Sequence, residues 1–129
     1  MYVDADFSGR WHKEYAKLCD SVLSRTGYVI TFCGCPVTWS SKLQTEIALS
    51  TTESEYIALS TAARDILPLR RILHDIAQYS FISIPSFKYN STLKTSSLQP
   101  SKVYEDNNAC IVLATTVTNF KPQTKHISF

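Results

Sequence analysis

Residues 50–78 read STTESEYIALSTAARDILPLRRILHDIAQ, and their spacing decides the fold. Serine and threonine stand just before acids, which is the capping signature of a helix N-terminus. Downstream, Leu59, Ala62, Ile66, Leu69, Leu73 and Ile76 recur at intervals of three and four, a full apolar stripe along one helix face. Pro68 interrupts the pattern and predicts a kink there, or a break into two helices. Extended backwards by four residues, the stripe lands on Glu55. Glu53 lies about 160° round the helix from Glu55, at about 100° per residue. Glu55 therefore heads the buried face, and its carboxylate points at the sheet that the helix covers.

The sheet is sought on both sides of that helix. MYVDAD, at residues 1–6, reads as a clipped strand ending in Asp4 and Asp6. SGRWHKEYAKLCDSVLSRT has no clear period and reads as a connecting loop carrying Arg10, Lys13, Lys17 and Arg25. GYVITFCGCPVTWSSK gives two β-rich runs, at 28–32 and 37–39, joined by the turn residues CGCP as a hairpin. TEIALST either forms a third extended piece or leads straight into the helix. YSFISIPSFKYNSTLKTSSLQPS, at 79–101, is rich in Ser, Thr and Pro and reads as a long, flexible loop. In KVYEDNNACIVLATT, Val103 and Tyr104 predict a short strand, and Asp106 or Asn107 caps a helix running through Ala114. The order strand, hairpin, helix, loop, strand, helix is an α/β pattern whose first and last strands are expected to be parallel neighbours.

A chain of 129 residues suits one domain with one core. A net charge of +2 excludes a global basic field, so any contact with nucleic acid must rest on local clusters. No apolar run approaches the roughly 18 residues of a membrane span, and no basic, then apolar leader opens the chain. The reading is a soluble, unsecreted protein with no membrane partner. Its cysteines, Cys19, Cys33, Cys35 and Cys110, lack zinc-like spacing and read as free thiols.

Asp4 ends the first strand, Asp106 ends the last, and Glu55 heads the helical stripe between them. In open α/β sheets ligands collect beyond the carboxyl ends of strands where the strand order reverses. Carboxylates gathered at such a point repel one another unless a cation neutralises them. Hard oxygen ligands suit Mg²⁺ or Mn²⁺, and the chemistry implied is phosphodiester hydrolysis with two ions about 4 Å apart. Strand-terminal and helix-capping acids satisfy the same spacing with no cation at all.

Longer blocks narrow that choice. YVDADFSG, the stretch from SRTGYVITF through LPLRRIL, YEDNNACIVLA and KPQTKHI, in this order, resemble the ribonuclease H domain of copia-type retrotransposon polyproteins. The resemblance covers most of the chain apart from 79–101. It implies a ribonuclease H-like mixed sheet with antiparallel hairpin strands, parallel first and last strands, and covering helices. It implies Asp4, Glu55 and Asp106 as catalytic and metal-binding carboxylates, with Mg²⁺ or Mn²⁺ as cofactor, two ions in an active enzyme. The substrate implied is an RNA–DNA hybrid cleaved in its RNA strand. The partner implied is the reverse transcriptase domain of a parent polyprotein, and the location an intracellular, cytoplasmic particle. Asp6 reads as a solvated or loop-capping aspartate, Glu53 as a helix N-terminal acid, and Glu105 as a solvated neighbour.

The sequence also departs from the family. A fourth carboxylate is usual on a final helix after a further strand, and neither element follows TKHISF. Ser128 stands where an aspartate is usual. The expectation is a single ribonuclease H-like domain over 1–129, incomplete at both ends, and either a Mg-dependent endoribonuclease or, as the alternative, an inactive retroelement remnant or a non-catalytic nucleic-acid-binding fragment. Lys121, Lys125 and His126 in the tail, and Lys42 after the hairpin, are the candidate phosphate contacts; Lys13 and Lys17 are weaker candidates. Tyr28 and Trp39 read as core residues of the hairpin. Arg64, Arg70 and Arg71 read as a solvated helix face.

Overall fold

A computed structural model describes residues 1–9, 11–15, 17, 19–79, 87–90, 95–98 and 100–116. Strand β1 (Tyr2–Asp6) is followed by two short 3-10 turns, Lys13–Tyr15 and Cys19–Val22, then by strands β2 (Arg25–Phe32) and β3 (Cys35–Leu43). Helix α1 (Thr51–Tyr79), strands β4 (Phe87–Asn90) and β5 (Thr95–Leu98) and helix α2 (Asn108–Thr115) complete the described elements.

The first three strands form one antiparallel sheet in the order β1-β2-β3, with β2 central. The expected hairpin is present, and both of its strands run longer than the apolar runs alone indicate. Arg25–Gly27 pairs with β1 on one side and with Ser41–Leu43 on the other, so cross-strand pairing carries these polar residues into the sheet. The turn is two residues long, with Cys33 at φ 51° and Gly34 at φ 82°. Two consecutive positive φ values mark the hairpin turn whose twist matches its strands.

The expected parallel pairing of first and last strands is reduced to a single bridge: among the described residues Tyr104 lies parallel to Tyr2 of β1, but no strand forms at 103–104. The Val3 N–H donates to the Tyr104 carbonyl at 3.1 Å, and the Tyr104 N–H donates to the Met1 carbonyl at 2.9 Å. The run is short because the chain turns at once into the cap of α2. The stretch 79–101, read as a loop, contains the antiparallel pair β4–β5. Its alternation of aromatic and polar residues at Phe87–Asn90 suits a strand.

Helix α1 runs unbroken through Pro68, which lies on its exposed side, so of the expected kink or break the break into two helices is corrected. Ser50 and Glu53 form a capping box: the Glu53 N–H donates to Ser50 Oγ at 3.1 Å, while Glu53 Oε2 accepts from the Leu49 N–H at 2.7 Å. Residues 45–50 are irregular and lead into this cap.

The core is small. Met1, Val3, Tyr28 and Ile30 of the sheet meet Ala58 and Ala62 of α1, with Ala5, Leu59, Ile66 and Leu69 packed around them. The two alanines let helix and sheet backbones approach closely. Ile76, the last position of the predicted stripe, is exposed. Buried Gln44 fastens the layers: its side-chain amide donates to Thr26 Oγ1 at 3.1 Å and to the Ser54 carbonyl at 2.9 Å. Tyr28 is buried as expected, and its hydroxyl donates to Asp65 of α1. The opposite sheet face is open. Tyr2, Val29 and Trp39 lie in register across it, and Trp39 is 70% exposed rather than in the core.

Candidate metal centre

The sheet, the first turns of α1 and the entry to α2 each deliver one carboxylate to the same place. Strand β1 brings Asp4, held in register opposite Gly27. The capping box and the Gln44 bond to Ser54 fix the start of α1 and so aim Glu55. The bridge at Tyr104 aligns the approach to Asp106, and Asn107 then caps α2, its Oδ1 accepting from the Cys110 N–H at 3.0 Å. One carboxylate oxygen from each of Asp4, Glu55 and Asp106 lies within 4.8 Å of the others. Asp4 and Asp106 are exposed, while Glu55 is only 7% exposed.

The electrostatics of this arrangement are unfavourable without a counter-charge. Burial, then the negative charges of Glu105, Asp4 and Asp106, push the Glu55 carboxyl up to about 7, opposed by a hydrogen bond from the Ala5 backbone. Glu55 Oε2 is buried and accepts no hydrogen bond. Among the described residues no lysine or arginine forms an ion pair with these acids. Two oxygens on one Mg²⁺ lie at most about 4.2 Å apart when each is about 2.1 Å from the ion. Small side-chain shifts would be enough to bring all three acids within reach of one cation, and a hard, anionic donor set of this kind suits Mg²⁺ or Mn²⁺.

The surroundings sort the remaining candidates. Glu105 is not the solvated neighbour that its position suggests. It is half-buried, its Oε1 accepts from the Asn107 N–H at 3.1 Å, and its Oε2 is buried with no partner. Burial raises its pKa, and the charges of Asp106 and Asp4 add to the rise, against the bonds from the Asn107 and Asp106 backbone. Cys110 is wholly buried beside these groups, and burial together with the charges of Glu105 and Glu55 pushes its thiol up to about 12. Asp6 stays outside the cluster, its carboxylate folded against Gly9 where a Cβ would otherwise stand. Glu53 serves the helix cap.

Lys42 is exposed on β3 and borders a groove of about 700 Å³ between β3 and α1. None of Asp4, Glu55 and Asp106 lines that groove. Lys13 and Lys17 are exposed in the connection between β1 and β2. Lys121, Lys125 and His126 lie outside the described residues. Cys33, Cys35 and Cys110 are free thiols, as expected. No helix among the described residues is long and apolar enough to cross a membrane.

Comparison with known proteins gives partial matches. The chain is 41% identical over 75 residues to a retrovirus-related Pol polyprotein from transposon TNT 1-94 of Nicotiana tabacum. That match covers 58% of this chain and 5% of the polyprotein. It is also 41% identical over 64 residues to the secreted RxLR effector protein 161 of Plasmopara viticola, a match covering 50% of this chain and 39% of the effector. The chain thus spans well under half the length of each relative. No protein-family model matches the sequence, and no solved structure matches it. The similarity to a Pol polyprotein supports a retroelement origin.

Proposed function

We propose that this chain is a retroelement-derived ribonuclease H-like domain that hydrolyses the RNA strand of RNA–DNA hybrids with divalent cations. One observation carries the reading: acids from three separate sequence blocks, Asp4, Glu55 and Asp106, each bring a carboxylate oxygen within 4.8 Å of the others, and one of them, Glu55, is buried. Similarity to a transposon Pol polyprotein supports the choice of substrate, because copying an RNA template into DNA leaves a hybrid.

Bound Mg²⁺ or Mn²⁺ supplies an activated water and stabilises the leaving oxygen in this class of chemistry. The chain's own residues divide the work. Glu55, buried and backed by the Ala5 backbone, is the rigid anchor. Asp4 and Asp106, exposed on either side, mark the side from which phosphate and water approach. Lys42, and Lys121, Lys125 and His126 of the tail, are proposed to hold the backbone of the hybrid; its 2′-hydroxyl groups distinguish RNA from DNA. The reverse transcriptase domain of a parent polyprotein is the proposed partner.

A labelled RNA–DNA hybrid incubated with the protein and Mg²⁺ tests this, with Glu55→Gln alongside. Cleavage by the wild type and its loss in Glu55→Gln is the expected outcome. Equal cleavage by both overturns the assignment of Glu55. A second reading, a retroelement-derived fragment without turnover, draws on the similarity to a protein named as a secreted effector. Absence of cleavage by either protein favours it.

A further inference from the structure

Where β1 begins, sheet and helix part around a cavity of about 320 Å³. Ile30 and Phe32 line it from β2, and Ile66, Leu69 and Leu73 line it from α1. The stretch 100–104 closes it from the approach to α2. None of Asp4, Glu55 and Asp106 borders this space. We infer that the cavity is a binding site for a small aromatic carboxylate, its rings between β2 and α1 and its acid group on Arg70 and Lys102. The site lies apart from the carboxylate centre and holds with or without metal-dependent chemistry.

The walls dictate the body of the ligand. Ile30 belongs to the core, and the α1 residues are half-buried, so an apolar group entering here leaves water behind. Tyr2 and Tyr104 add a flat aromatic boundary, their rings stacked with centroids 4.7 Å apart and planes 13° apart. The volume sits at the low end of the roughly 300–1,000 Å³ of small-molecule sites, which suits one or two fused rings. The rim dictates the charge. Among the described residues the charged side chains that line the cavity are Arg70 and Lys102, both cationic, and no acid lines it. Neither cation forms an ion pair among those residues. Arg70, half-buried, is held by a bond from Nη1 to Ser101 Oγ. That stretch is in turn tied to β1, where the Val3 N–H donates to the Tyr104 carbonyl at 3.1 Å. A guanidinium fixed at one corner keeps further N–H groups for the two oxygens of a carboxylate. An apolar cavity whose charge is all of one sign favours an apolar molecule of the other sign.

Calorimetric titration of the full chain with 2-naphthoate at neutral pH in EDTA tests the site, with the neutral 2-naphthamide as counterpart. The expected result is one 2-naphthoate per chain, bound at least about tenfold more tightly than the amide. The double variant Arg70→Gln, Lys102→Gln should lose that preference; its first substitution keeps an N–H for Ser101 Oγ. Leu73→Trp should fill the cavity and weaken both ligands by at least about tenfold, with circular dichroism checking that each variant folds. A wild-type chain that binds no 2-naphthoate at millimolar concentration overturns the inference, and so does equal affinity for acid and amide. Neither of those outcomes depends on a variant. A preference that persists in the folded double variant overturns it too, as does undiminished binding by a folded Leu73→Trp chain.

Discussion

Glu55 couples the site to the stability of the fold. Its pKa of about 7 in the folded chain lies above the ordinary 4.5, so the folded state binds this proton more tightly than the unfolded state does. In metal-free protein that contribution is fully present below about pH 4.5 and is lost as pH rises through about 7. Thermal melts in EDTA between these limits should show a falling melting temperature, and Glu55→Gln should flatten the fall. Mg²⁺ should restore the loss above pH 7, since the cation binds the ionised form. A wild-type profile that parallels the variant's would sink the idea. At this scale the sequence was informative where periodicity applied: the stripe through Leu59 and Ala62 separated Glu55 from Glu53. It misled on Glu105, read as solvated, which sits in an irregular stretch with no period. Its half-burial and its bond to the Asn107 N–H belong to the tertiary setting of that stretch, which nothing local encodes.

Among the elements, the hairpin turn carries a visible defect. Cys33 adopts a left-handed backbone conformation that a residue with a Cβ enters at a cost of roughly 1–2 kcal/mol. Asparagine tolerates this geometry better, and Asn-Gly is a preferred pair for the turn. Cys33→Asn should stabilise the chain by about 0.5–1 kcal/mol, read from the midpoint of urea unfolding. The turn itself was legible in CGCP; its strain was not, because backbone angles follow from the register of β2 and β3. Pro68 teaches the converse. Local sterics favour a break there, yet α1 continues, because Ile66 and Leu69 pack against the core on either side of an exposed proline. The parallel strand expected at 103–104 shrank to one parallel bridge at Tyr104, because the chain turns at once into the Asn107 cap.

At the scale of the molecule, a small core leaves polar fasteners with much of the responsibility for joining helix to sheet. Gln44 makes both side-chain bonds that reach Thr26 and Ser54, and it is buried. Gln44→Ala should cost about 2–3 kcal/mol through the lost bonds and the cavity, measurable by chemical denaturation. It should also weaken cation binding, because Ser54 immediately precedes Glu55 and the same bond that holds the layers aims the site. The α/β class was legible from element order, while the convergence of Asp4 with Glu55 and Asp106 needed the family resemblance beside it. The open face was not, since a strand's alternation indicates which residues share a side but not whether anything covers it.

That open face has a spectroscopic consequence. The chain has two tryptophans, Trp11 at 56% exposure and Trp39 at 70%, and neither is shielded by the core. Their emission in the native protein should already resemble that of indole in water, so unfolding should barely move it. Intrinsic fluorescence would then be a poor thermometer for this fold and a sensitive detector of arrivals. Anything that settles over β3 should dry Trp39 and shift its emission to the blue, while the fold beneath stays unchanged.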